Sequence, residues 1–208
     1  MKSFPALAGI TLASTTIINL VLAASSNTTG VFDQTFTLIA ARSASPIHLQ
    51  AINATGGGLW IGKPQATYCP NATAEGIPIP CPQSSQTIFT GPDEETHGIA
   101  LDVDVPGGQM LYIDPTCGAV RYTTAHSEEE PAGALTGGWT LDQLASFGEL
   151  AYVNGTVFCP ETGSVQDPDL KTAWQMFAAL DGLNFTNCLG ADLLTTNATG
   201  PGAWEYSA

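Results

Sequence analysis

The chain has 208 residues, 44% of them apolar, which suits one domain with a real core and is too short for an ordinary multidomain enzyme. Five Lys and Arg stand against 19 Asp and Glu, a formal charge of −14, so phosphate backbones and anionic lipid repel the protein and nucleic-acid binding is excluded. Only 12% of residues are charged, and 22 Gly with 14 Pro predict many turns and a polar, neutral surface of the extracellular kind.

At the amino end, Lys2 precedes an apolar stretch from Phe4 to Ala13, Ile17–Leu22 is apolar again, and Ala23-Ala24-Ser25 offers small residues for cleavage. Ser14-Thr15-Thr16 and Asn19 break the run short of a membrane anchor, so residues 1–23 read as a removed signal peptide. Its removal takes Lys2 and leaves four cations against 19 acids. Residues 24–31 read as a flexible amino-terminal segment and 32–208 as a single β-rich domain. The carboxyl end, Ala198–Ala208, lacks the apolar tail of a lipid-anchor signal, so the expectation is release without membrane contact. Six Asn-x-Ser/Thr triplets, at Asn27, Asn53, Asn71, Asn154, Asn184 and Asn197, are candidate glycosylation sites in a secreted chain. Asn184 is the least favourable, since Leu183 and Phe185 flank it.

Phe36, Leu38 and Ala40 alternate with Thr35, Thr37 and Ile39, the period of a strand. Ile47 and Leu49 predict a continuation across a Ser-Pro turn, and Asn53–Gly58 predicts a reversal before Leu59-Trp60-Ile61. Thr87–Thr90 is a further candidate strand. The clearest alternation is Ile99–Val105, with Asp102 and Asp104 on the face opposite Ile99, Leu101, Val103 and Val105. Pro106-Gly107-Gly108 ends it, Met110–Ile113 opens another strand, and Val120–Thr123 resumes after Gly118. Leu170–Leu180 is compatible with a helix and with a strand through Trp174, Met176 and Ala178. Turns every 8 to 15 residues or so are all-β spacing. The expected architecture is a two-sheet sandwich, with a β-trefoil or closed barrel as the alternative.

The five cysteines, in an oxidising compartment, should pair as far as an odd number allows. Locality favours Cys69 with Cys81 and Cys159 with Cys188, although sequence leaves other arrangements open. Cys117, in the turn-like Asp114-Pro115-Thr116-Cys117-Gly118, is then left over, either buried and inert or exposed to a second chain. No basic partner near it in sequence would activate it as a nucleophile.

Sites of chemistry are thin. Asp93-Glu94-Glu95-Thr96-His97 and His126-Ser127-Glu128-Glu129-Glu130 lack zinc spacing and read as solvated loops, and no calcium loop surrounds Asp102 and Asp104. There is no Gly-x-Ser-x-Gly elbow, Gly56-Gly57-Gly58 opens no phosphate-binding helix, and 19 acids guarantee carboxylate pairs by chance. Neither a catalytic residue, a metal nor a cofactor is expected. Trp60, Trp139, Trp174 and Trp204, with Tyr112, Tyr122 and Tyr152, are either core packing or a sugar-stacking surface.

The passage Phe36-Thr37-Leu38-Ile39-Ala40-Ala41-Arg42-Ser43-Ala44-Ser45-Pro46-Ile47-His48-Leu49-Gln50, continuing through Asn53-Ala54 and Gly58–Gly62 to Tyr68-Cys69-Pro70, resembles secreted fungal cell-wall proteins of the PhiA type. So does Val105–Pro115, followed by Gly118-Ala119-Val120 and Tyr122–Ser127, together with Trp174–Ala178, Asp192-Leu193-Leu194 and Ala203–Tyr206. The resemblance implies a strand at 174–178, association with the wall of a filamentous ascomycete, and a role in phialide and spore formation. It carries forward Arg42, Ser43, Pro46, His48, Gly107, Gly108, Gln109, His126 and Ser127 as family-like positions without a catalytic role. Cys117 and Glu128-Glu129-Glu130 depart from the family pattern, so a disulfide partner through Cys117 and altered wall association come into view. The implied partners are wall polysaccharide or wall glycoproteins. The competing reading is a secreted carbohydrate-binding module or host-facing effector or antigen.

Overall fold

The computed structural model describes residues 34–70, 81–143, 147–161 and 172–208. The proposed signal peptide, the 24–31 segment, Asn27 and Asn71 lie outside them. The described residues form sixteen strands and no helix.

Alternation of apolar and polar residues builds the longer strands, each burying one face. Strand β1 (Thr35–Ala41) buries Phe36, Leu38 and Ala40. It is followed by β2 (Gln50–Ala51), β3 (Asn53–Thr55), β4 (Gly58–Ile61), β5 (Thr67–Tyr68), β6 (Phe89–Thr90) and β7 (Ala100–Leu101). Next come β8 (Gln109–Ile113), β9 (Val120–Tyr122), β10 (Trp139–Gln143), β11 (Gly148–Tyr152), β12 (Thr156–Pro160) and β13 (Trp174–Ala178). The last are β14 (Leu189–Gly190), β15 (Asp192–Asn197) and β16 (Glu205–Tyr206).

The first sheet runs β10-β11-β15-β1-β6-β7-β8 and the second β8-β9-β4-β13-β12-β14, all neighbours antiparallel. Strand β8 belongs to both: Gln109 and Met110 pair with β7, whereas Leu111, Tyr112 and Ile113 pair with β9. A strand that changes sheets makes the corner between two packed layers. The path ends at β10 and β14, which do not pair, so the sandwich is open and neither a barrel nor a trefoil forms. Between the layers sit Phe36, Phe89, Trp139, Phe158, Trp174 and Tyr206, all nearly inaccessible. This is the sandwich expected from the sequence.

Local departures have physical causes. The reversal expected over Asn53–Gly58 is a tight hairpin: β3 and β4 pair in register and only Gly56 and Gly57 turn, with φ of 57° and 69° that glycine adopts without strain. Ile47 and Leu49 do not share a strand face, because residues 42–49 form a folded loop with Ile47 buried and Leu49 exposed. Along Ile99–Val105 the burial alternation holds, but the ladder stops at Leu101. Val103 instead bridges Ala203 in parallel, and the amides of Asp104 and Val105 donate to Ala203 and Trp204. Trp174, Met176 and Ala178 are buried on strand β13, which settles the 170–180 ambiguity for its described part.

Candidate functional site

The strand pairing carries three of the family-like residues to one place. Ala41, the last residue of β1, lies opposite Asp192 at the start of β15. Gly190 ends β14 in the second sheet, and Ala191 joins it to β15 in the first. A cleft of about 520 Å³ opens where the chain crosses between the sheets. Arg42, Ser43 and His48 line one side, Gly155 and Thr156 at the start of β12 another, and Gly190–Asp192 the floor and rim.

The loop holding the first three is tightly determined. The Arg42 amide donates to His48 Nδ1 at 3.2 Å, and the Ser45 hydroxyl donates to the Arg42 carbonyl at 2.8 Å. His48, Leu49 and Gln50 donate their amides to Ser45, Ala40 and Ile47. Pro46 helps the chain turn, and the fully buried Ile47 anchors it. Ala44 and Leu49 are left-handed, with φ of 56° and 57°, a region that residues bearing a Cβ enter at a steric cost. The Arg42 side chain reaches across the cleft, and Nη1 donates to the Gly190 carbonyl at 2.7 Å. Thr156 Oγ1 donates to the Ala191 carbonyl at 2.9 Å. Arg42 and Asp192 both face the cleft, yet no ion pair joins them.

The remaining family-like positions are elsewhere. Gly107 and Gly108 turn the chain into β8 with φ of 92° and 65°. Gln109 is fully buried: its Nε2 donates to the carbonyls of Thr123 and Tyr206, and its Oε1 accepts from the Tyr206 amide. Tyr122 adds a second clasp, donating its hydroxyl to the Ser207 carbonyl at 2.6 Å and accepting from the Gly57 amide. Burial of Tyr122 pushes its hydroxyl up to about 12, so it stays protonated and able to donate. These residues bolt the carboxyl-terminal segment to the sandwich. His126 and Ser127 occupy an exposed turn, remote in the chain from the cleft and absent from its lining.

Cys69–Cys81 and Cys159–Cys188 are disulfide-bonded, the pairs that locality favours. Cys117 is free and exposed. Asn154, Asn184 and Asn197 are exposed, and Asn184 projects outward although Leu183 and Phe185 beside it are partly buried. Asn53 differs: its Nδ2 donates to the Lys63 carbonyl at 3.0 Å and its Oδ1 is buried. Of the candidate aromatics, Trp139, Trp174, Tyr122 and Tyr152 are core residues and unavailable for stacking, while Tyr112 and Trp204 are partly buried. Trp60 is partly buried and Lys63 Nζ lies 3.5 Å over its ring, so that face is already covered. Among the described residues no three His, Cys, Asp or Glu side chains are placed to hold a metal ion. The Asp93 carboxylate in the first acidic loop is consumed internally, accepting from the amides of Glu95, Thr96 and Gly98.

Comparison with known proteins identifies the lineage of this scaffold. A family profile described as "PhiA-like secreted protein" matches residues 36–207, nearly the whole sandwich. The chain belongs to the PhiA-like secreted protein family. That family is one of secreted proteins. A relative named "Uncharacterized secreted protein" from Arthroderma benhamiae is 29% identical over 173 residues, covering 75% of this chain and 77% of its own length. No solved structure matches. The PhiA-like segments 36–50, 105–127 and 192–194 all lie within the matched span, and the first and last of these reach the cleft.

Proposed function

We propose that this PhiA-like protein is a glycosylated structural component of the fungal cell wall, acting in conidiophore, phialide and spore formation. The observation that carries the reading is the family match over residues 36–207, since the family's name points to the phialide. Several physical features support it. Two disulfides and an antiparallel sandwich suit a protein that persists outside the cell. Exposed Asn154, Asn184 and Asn197 suit glycan attachment, and a sparsely charged polar surface suits contact with polysaccharide or wall glycoproteins. Exposed Cys117 offers a second mode of retention, through thiol–disulfide exchange with a wall protein.

Fractionation of culture medium, salt wash, reducing extract and glucanase digest of the wall tests this. Recovery from the wall fractions is expected, and a portion released only by reductant, lost in Cys117→Ser, would assign retention to that thiol. Recovery solely from the medium would overturn the wall role and favour a secreted binding module or host-facing effector, to which the Arg42–Asp192 cleft would then belong.

A further inference from the structure

We infer that the cleft between β1, β12 and β15 binds a neutral hexose polymer, with Arg42, His48 and Asp192 as the recognising groups; this rests on the wall reading above. The polar groups lining it are mixed in a way that selects for hydroxyls. Arg42 spends Nη1 on Gly190 and keeps its other N–H donors for a ligand. His48 accepts at Nδ1 from the Arg42 amide, which places the proton of the neutral ring on Nε2 as a donor. Asp192 offers only acceptors, and Ser43 offers both kinds. A sugar hydroxyl donates and accepts at once, so adjacent hydroxyls satisfy a carboxylate and a guanidinium together, with charge-assisted bonds to each.

Charge narrows the class. An anionic polymer meets Asp192 and a net charge of −14, whereas a cationic one, although that net charge attracts it, faces Arg42 in a lining whose one carboxylate is Asp192. A neutral polyol meets neither repulsion. The volume of about 520 Å³ lies in the ordinary range for small ligands, roughly 300–1,000 Å³, and suits a short run of sugar units.

The loop supplies a second, independent observation. Leu49 follows His48, stays 56% exposed and is held left-handed, with its amide tied to the Ala40 carbonyl and its side chain left in solvent. Strain of this kind, over-determined by the buried Ile47 and the surrounding hydrogen bonds, is characteristic of preorganised binding loops.

The test is isothermal titration of the intact, disulfide-bonded protein with laminarihexaose and mannohexaose, using a chitosan hexamer and a polygalacturonate oligomer as charged controls. At least one neutral hexasaccharide is expected to bind, with affinity falling about tenfold or more in Asp192→Asn and in Arg42→Gln. Arg42→Gln also loses the bond to Gly190, so Asp192→Asn, checked for unchanged thermal unfolding, decides the matter. Binding of laminarihexaose identifies wall glucan as the source, and binding of mannohexaose the mannan of wall glycoproteins. The inference is overturned if neither neutral oligosaccharide binds, if Asp192→Asn binds like the unaltered protein, or if a charged control binds more tightly. Such a failure leaves wall residence to the fractionation above, and a protein that binds oligosaccharide yet never enters the wall overturns the wall reading alone.

Discussion

Gln109 has the most demanding environment of the family-like residues. A buried amide that donates twice and accepts once leaves three backbone groups unpaired when truncated. Gln109→Ala is therefore expected to lower unfolding stability by about 2–4 kcal/mol, read as a lower urea midpoint with an unchanged slope. Asn53 makes a different demand. A glycan on Nδ2 would intrude on the bond to the Lys63 carbonyl at the β3–β4 hairpin, whereas Asn154, Asn184 and Asn197 project into solvent. Peptide mapping of the secreted protein after glycosidase treatment should find these three occupied and Asn53 unmodified. All four carry the same triplet, and the difference is that the Asn53 side chain is turned inward and bonded to the Lys63 carbonyl, whereas even Asn197, in the paired strand β15, is exposed.

Among the elements, β14 depends most on help from outside itself. It is two residues long, pairs only with β12, and lies at the end of the strand path. The Cys159–Cys188 bridge ties it to β12, and its Gly190 carbonyl then receives Arg42. Replacing both cysteines by serine should cost about 2–4 kcal/mol and, if the Gly190 anchor frays, weaken the cleft as well. Urea denaturation combined with amide exchange at residues 188–192 would show both effects; protection there equal to that of the intact protein would count against the staple. The legibility of elements varied with how completely each buries one face. β1, β8 and β13 alternate cleanly and are recognisable in the sequence. β10 is an end strand burying only Trp139 fully, so its Thr140, Asp142 and Gln143 resemble a loop. β11 carries a readable signal in Gly148, Leu150 and Tyr152 against Glu149 and Ala151, and β12 one in Thr156 and Phe158.

For the whole molecule, two carboxylates pull stability in opposite directions with pH. Burial pushes the Asp93 carboxyl up, but the Thr96 hydroxyl and the amides of Thr96, Gly98 and Glu95 outweigh it and hold the group down, at about 2 against an ordinary 3.8. Its contribution is present above pH 3.8 and is lost as pH falls through about 2. Burial and then the neighbouring charge of Asp104 raise the Asp102 carboxyl, so its contribution is present at acid pH and is lost as pH rises through the folded-state value. Asp93→Asn should thus lower the melting temperature at pH 7 with the gap closing at pH 2, whereas Asp102→Asn should raise it at pH 7 and give no gain at pH 3. Thermal scans of both variants across that range check the two signs, and parallel shifts at all pH values would refute the assignment.

Composition, turn spacing and cysteine number by themselves determined a secreted, disulfide-bonded β domain, because those properties depend on residue counts and short spacing. Alternation determined most of the core, since a period of two reports burial even at Ile99–Val105, where the ladder breaks. The tertiary structure alone decided that Arg42 and His48 line one cleft with Asp192, about 150 residues away in the chain, through the Ala41–Asp192 pairing. It also decided that Gln109 is a bolt and not a surface group, and that Leu49 faces out while Ile47 faces in. Strand register and the point where a chain changes sheets are set by long-range packing, and no local pattern encodes them.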